Sequence, residues 1–102
     1  MTDIQDRKDL LNLLREFYSR AIKDPLIGEK FDDLEMDHHI DIIADFWDSV
    51  LFGTFKYQGD PFGKHIALAL KKEDFDRWII LFHKTIDDLF AGDKSEEAKS
   101  MA

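Results

Sequence analysis

His39 and His65 fall at apolar positions of two different predicted helices. Imidazole is the commonest protein ligand of transition metals, and a buried ring must find a partner for its polar nitrogens. The chain contains no cysteine. Any iron or zinc chemistry would therefore run through histidine and carboxylates.

His65 is the stronger candidate. A single Nε2 bond suffices to hold a haem iron, with the other ring nitrogen donating to a backbone carbonyl. Spacing alone favours the blander alternative, a hydrogen-bonded core histidine. His39 could line a cavity opposite it, as a ligand contact or a movable gate, or could simply be half-exposed near its helix start. Its neighbour His38 is rotated by about 100° on the helix and faces solvent. The adjacent pair is not a zinc motif, because neighbouring helical residues diverge and no HExxH accompanies them. Tyr18 and Trp78 each sit in an apolar stripe while carrying a donor that needs a partner when buried. They read either as donors into a shared pocket or as core aromatics with polar tips at the edge. His83 lies off its helix stripe and is expected at the surface. No glycine-rich phosphate loop, nucleophile elbow or paired catalytic carboxylates can be found.

The elements that must position these residues are all helical. From about Asp6 to Asp24, Leu10, Leu14, Phe17, Tyr18 and Ala21 recur at helical spacing, and Asp24-Pro25 with Gly28 breaks the run. A second helix is expected from an Asp37 N-cap to Phe52, stopped by Gly53. Its stripe is His39, Ile43, Phe46, Trp47 and Val50, with Ile40 and Leu51 at the margins. After a loop, Gly59-Asp60-Pro61 opens a short helix carrying Phe62, His65, Ile66, Leu68 and Ala69. A long helix over about Glu73 to Phe90 follows, striped by Phe75, Trp78, Ile79, Phe82, Ile86 and Leu89 and stopped by Gly92. The tail from Asp93 can add two or three turns, with Ala98, Met101 and Ala102 as weak apolar contacts. No strand-period segment or internal repeat is present, so the fold class is all-α in a single domain over residues 1–102.

Composition narrows the function. Hydrophobic residues make up 44% and aromatics 13%, with nine Phe, a load that suits the lining of a pocket. A formal charge of −8 argues against nucleic acid, which needs clustered Lys and Arg. The absence of a leader, a long apolar span or cysteine leads us to expect a cytoplasmic protein without membrane insertion.

Taken in order, REFYSRAIKDPLIGEKF, HHIDIIADFWDSVLFG, YQGDPFGKHIAL and FDRWIILFHKTIDDLF resemble the group III truncated haemoglobins. FWxxVLFG followed by G-x-P-x-x-x-H is the specific part, and the likeness extends from Leu10 to Phe90. The resemblance implies a two-over-two helical sandwich binding haem b, iron protoporphyrin IX. It makes His65 the proximal iron ligand and Tyr18, His39 and Trp78 the distal residues that face a bound ligand. Phe31 corresponds to the phenylalanine wedged against the haem, and Ile43, Phe46 and Trp47 to pocket walls. Lys64, beside His65, is a candidate for a haem propionate on charge and position. Family members usually carry a longer final helix, so 93–102 would be a shortened one. The implied partners are diatomic gases (O2, NO, CO), with cyanide as a further ligand, in a monomer or weak dimer. NO detoxification or peroxide chemistry is the enzymatic alternative, and with no flavin or nicotinamide motif in the chain it would call for a separate reductase. A haem-free helical interaction domain is the third reading.

Overall fold

The first helix begins where Asp6 turns its carboxylate back onto the Asp9 N–H, 3.0 Å away, as a helix N-cap. The computed structural model describes residues 1–32, 34–54 and 71–101, and in it this helix, α1, runs Arg7–Ala21. It stops short of the Asp24 expected from the sequence. Proline disfavours helical geometry in the residue before it, and Asp24 Oδ1 instead accepts from the N–H groups of Leu26 and Ile27 at 2.9 and 3.2 Å. A 3-10 turn over Gly28–Phe31 follows the break at Asp24-Pro25.

The second helix, α2, runs Met36–Phe52. Its N-cap is Glu35, accepting from the His38 N–H at 2.9 Å, rather than the predicted Asp37. Asp37 lies in the first turn, where a negative charge suits the helix dipole. Gly53 closes α2 at φ 66°, a left-handed position that glycine adopts without penalty. Helix α3 spans Lys72–Leu89, its start tied by the Lys71 N–H donating to Asp74. Helix α4 spans Asp93–Met101. The expected loop beyond Thr54 and the short helix with Phe62, Lys64, His65, Ile66, Leu68 and Ala69 lie outside the described residues. Among the described residues there is no strand.

Helix α1 packs against both α2 and α3, and α4 lies against α3 and α2. The apolar side of α1, with Leu10, Leu14, Phe17 and Ala21, is shut off from solvent. On α2 the buried line is turned from the expected one. Ile40, Ala44, Trp47 and Leu51 are buried, whereas His39, Ile43, Phe46 and Val50 are half-buried. The helix carries apolar residues on two adjacent lines, and the line containing Ala44, whose small side chain permits close approach, is the one turned into the core. Burying these side chains contributes about 1.5–3 kcal/mol for each large one. Further differences lie toward the C-terminus. Leu89 and Met101 are 36% and 56% exposed, outside the apolar contacts expected of them. His83 is half-buried, its Nε2 2.9 Å from the Lys99 carbonyl, so it meets α4 rather than water alone.

Candidate ligand-binding site

Tyr18 is the centre of a cluster drawn from three elements. It lies on the core side of α1 because Leu14, Phe17 and Ala21 share that face, and only 4% of it is exposed. Its ring meets the edge of Phe31, from the 3-10 turn, with centroids 5.6 Å apart. It meets the His39 ring of α2 at 5.1 Å. The phenolic oxygen lies 2.9 Å from His39 Nε2, a hydrogen bond whose direction depends on the histidine tautomer. Burial pushes the Tyr18 phenol well above its ordinary range, so it remains a protonated donor at any ordinary pH.

Trp78 reaches the same wall from α3. Its indole packs edge-on against Phe17 at 5.2 Å, and Phe17 in turn meets Tyr18 at 4.9 Å. Trp78 also stacks on Phe82 at 5.0 Å, and Phe82 stacks on Trp47 at 5.4 Å. Trp47 and Phe46 lie parallel to within 3°. The three expected distal residues therefore share one wall, but Trp78 meets Tyr18 through Phe17. Phe31 adjoins Tyr18 directly. Trp47 is turned into the core against Phe82, while Ile43 and Phe46 remain on the half-buried flank of α2. His65 and Lys64 fall outside the described residues.

Two contributors went unnoticed in the sequence as parts of the site. Phe17 joins Tyr18 to Trp78, and Phe82 is the ring on which Trp78 and Trp47 both stack. The signal was the i, i+4 pair Trp78/Phe82 on one helix and the Phe17-Tyr18 pair on another. Apolar spacing marked them as core without saying that the core residues would touch the site.

Beside the Tyr18–His39 pair, α2 presents side chains that are not fully buried. The flank of α2 carrying His39, Ile43, Phe46 and Val50 is apolar and half-buried. The Trp78 indole N–H, on a half-buried side chain, has no hydrogen-bond partner among the described residues. An apolar wall with few polar groups is what a macrocycle requires. Among the described residues no three His, Asp or Glu side chains converge on a metal position. A single axial imidazole on a porphyrin needs no such cluster. Nor is any described helix long and apolar enough to cross a membrane.

Comparison with known proteins bears on the fold. The family model described as bacterial-like globin matches residues 4–102. The chain is similar to a group 3 truncated haemoglobin of Campylobacter jejuni, with 28% identity across 94% of this chain and 78% of that protein. A crystal structure of a group III truncated haemoglobin from Campylobacter jejuni superposes with a TM-score of 0.84. That match has 24% identity and covers 99% of this chain and 86% of the other. The helices of this chain thus have the truncated globin arrangement.

Proposed function

Because the chain belongs to the bacterial-like globin family, whose members imply a haem cofactor, we propose that it captures small ligands at a haem b iron held by His65. Bound haem would supply an iron that His65 would hold and that would take O2, NO, CO or cyanide. Tyr18, His39 and Trp78 form the ligand-facing side, and Phe31, Ile43, Phe46 and Trp47 shape the walls. Lys64 is assigned to a propionate.

The observation that carries this reading is the buried Tyr18 phenol, hydrogen-bonded to His39 Nε2 at 2.9 Å. A phenol has one proton to give. When His39 donates from Nε2–H, the Tyr18 O–H is free to turn toward a ligand, and its raised pKa keeps that proton in place. The Trp78 N–H provides a second donor on the same wall. Hydrogen bonds of this kind to a partly charged acceptor contribute about 1.5–3 kcal/mol, roughly tenfold to a hundredfold in ligand release. Such a site favours slow release over bulk transport.

The test is an absorption spectrum of haem-reconstituted protein, wild type beside His65→Ala. Wild type should give a Soret band that sharpens and shifts with cyanide or CO, and His65→Ala should lose most of its haem affinity. Equal affinity and identical spectra would remove His65 as the ligand. A colourless wild type that gains no Soret band would leave the haem-free interaction domain. Tyr18→Phe should raise the O2 dissociation rate about tenfold or more. An unchanged rate would take Tyr18 off the ligand.

A further inference from the structure

The rings behind Tyr18 form a connected series. Tyr18 touches Phe17, Phe17 touches Trp78, Trp78 stacks on Phe82, and Phe82 stacks on Trp47. Every link has a centroid separation between 4.9 and 5.4 Å. Three members, Tyr18, Trp78 and Trp47, are oxidisable side chains, and the two phenylalanines bridge them. Trp78 is half-buried, open enough to exchange a proton with water, whereas Tyr18 is 4% exposed. A contact-packed interior of this kind does not require simultaneous redox chemistry to be stable, since burial alone would account for it. What burial does not account for is a base placed 2.9 Å from the buried Tyr18 phenol.

We propose that Tyr18, His39 and the Trp78–Phe82–Trp47 stack form a one-electron relay that moves an oxidising equivalent from an indole to the buried Tyr18. The relay is independent of bound haem. Its substrates are one-electron oxidants such as peroxyl or other small radicals. In the first step the oxidant removes an electron from the Trp78 indole, whose N–H proton leaves to water, giving a neutral indolyl radical and the reduced oxidant. In the second step an electron passes from Tyr18 through the Phe17 contact to Trp78. The Tyr18 O–H proton moves to His39 Nε2, and the indole nitrogen takes a proton back from water. The products are an intact Trp78, a Tyr18 phenoxyl radical and an imidazolium at His39. Trp47 exchanges with Trp78 through Phe82, but at 4% exposure it is closed to an external oxidant, so Trp78 is the entry point.

The proton acceptor decides the outcome. A phenol oxidised without losing its proton becomes a strongly acidic cation radical, which a buried site disfavours. Tyr18 cannot ionise beforehand, because burial holds its proton. Transfer to a positioned base removes both obstacles, and a neutral His39 with its proton on Nδ1 presents Nε2 as that base. This is the tautomer opposite to the one in which Tyr18 gives its proton to a ligand. The same hydrogen bond thus serves ligand capture in one direction and radical storage in the other.

The experiment is flash photo-oxidation of the protein as purified, with ruthenium tris-bipyridine and persulfate, read by freeze-quench electron paramagnetic resonance. The organic-radical signal is resolved from that of any ferric haem. Wild type should give an indolyl signal that converts to a phenoxyl signal, and the phenoxyl should narrow when ring-deuterated tyrosine is incorporated. Tyr18→Phe should lose the phenoxyl and retain the indolyl, whereas Tyr57→Phe, at the one other tyrosine of the sequence, should leave both. His39→Gln keeps a polar amide but no base, and should slow phenoxyl formation by roughly a hundredfold with the fold intact by circular dichroism. Deuterium oxide should slow the conversion in wild type, an effect that packing alone would not produce. The proposal is overturned if the phenoxyl maps to Tyr57, if wild type stops at the indolyl, or if His39→Gln converts at the wild-type rate.

Discussion

The ring wall between α1 and α3 and the seam where the two ends of the chain meet are held by different physics. In the wall, Phe17 and Phe82 are fully buried and meet edge to face at 5.3 Å, with Trp78 and Trp47 stacked on Phe82. Nothing in that contact set is ionisable. The seam turns on one carboxylate. Asp3 accepts from the Lys94 N–H at 2.8 Å, the Ser95 N–H at 2.9 Å and the Ser95 hydroxyl at 2.7 Å, capping α4 from the far end of the chain. Beside it the Ala91 N–H donates to the Thr2 carbonyl at 3.0 Å. The Lys94 ammonium donates to the Leu51 carbonyl at the end of α2, at 2.7 Å. The wall is strong because area leaves water. The seam is specific because a few donors converge on one charge.

That contrast breaks first at Phe82. Phe82→Ala removes the ring shared by Phe17, Trp78 and Trp47 and leaves a cavity that neighbouring rings cannot fill. It should cost about 3–5 kcal/mol in urea unfolding. The loss should not vary between pH 3 and pH 8, roughly the range over which carboxylates and histidine titrate. A cost below about 1 kcal/mol would mean that the wall is not a single packed unit.

How much of each region was legible follows from the same difference. The wall announced itself as an i, i+3, i+4 pattern: Leu10, Leu14, Phe17 and Ala21 on one helix, Trp78, Phe82 and Ile86 on another. Hydrophobic periodicity survives in a linear sequence, so the helices and most of the core were readable. On α2 the pattern was ambiguous, because two adjacent apolar lines compete. Only tertiary contact selected the line with Ala44 over the one with His39 and Ile43. The Tyr18–His39 pair was half readable, since order along the chain suggested a shared site but spacing could not supply a hydrogen bond between residues 21 apart. Asp3 carried no signal at all. Its partners lie 91 and 92 positions away, and an aspartate near a terminus looks like any solvated charge.

The seam is tested next at Gly92, which sits at φ 146°. A Cβ there would lie 2.5 Å from Asp3 Cγ, so Gly92→Ala combines backbone strain with displacement of the capping carboxylate. The expected cost is about 1–3 kcal/mol. Because both changes act on one contact, adding Asp3→Ala to Gly92→Ala should cost less than the sum of the two singles. Strict additivity would show that Gly92 acts by its own strain and not through Asp3.

The smallest effect is the most selective. Burial works against the Asp3 charge, yet the Lys94 N–H, the Ser95 hydroxyl and the Ile4 and Ser95 N–H groups hold its pKa below the ordinary carboxylate value. A carboxylate depressed in the folded state contributes stability that is fully present above its unfolded pKa, about 3.9, and is lost as the pH falls through the folded value. Asp3→Asn keeps one acceptor oxygen but loses the charge and the second acceptor, since Oδ1 serves Ser95 and Oδ2 serves the Lys94 N–H, so it should cost about 0.5–1.5 kcal/mol near neutrality. The gap in urea midpoint between wild type and Asp3→Asn should therefore hold constant from neutrality down to about pH 5 and close below about pH 4. The Phe82→Ala gap should stay open across the same range. Amide exchange should place the loss in α4, with Ser95 and its neighbours less protected and the α1 and α3 amides unchanged, because the seam can open without unpacking the rings. A gap that persisted undiminished into acid would mean that the carboxylate's charge is not what holds α4, and that the cap works by shape and hydrogen bonding alone.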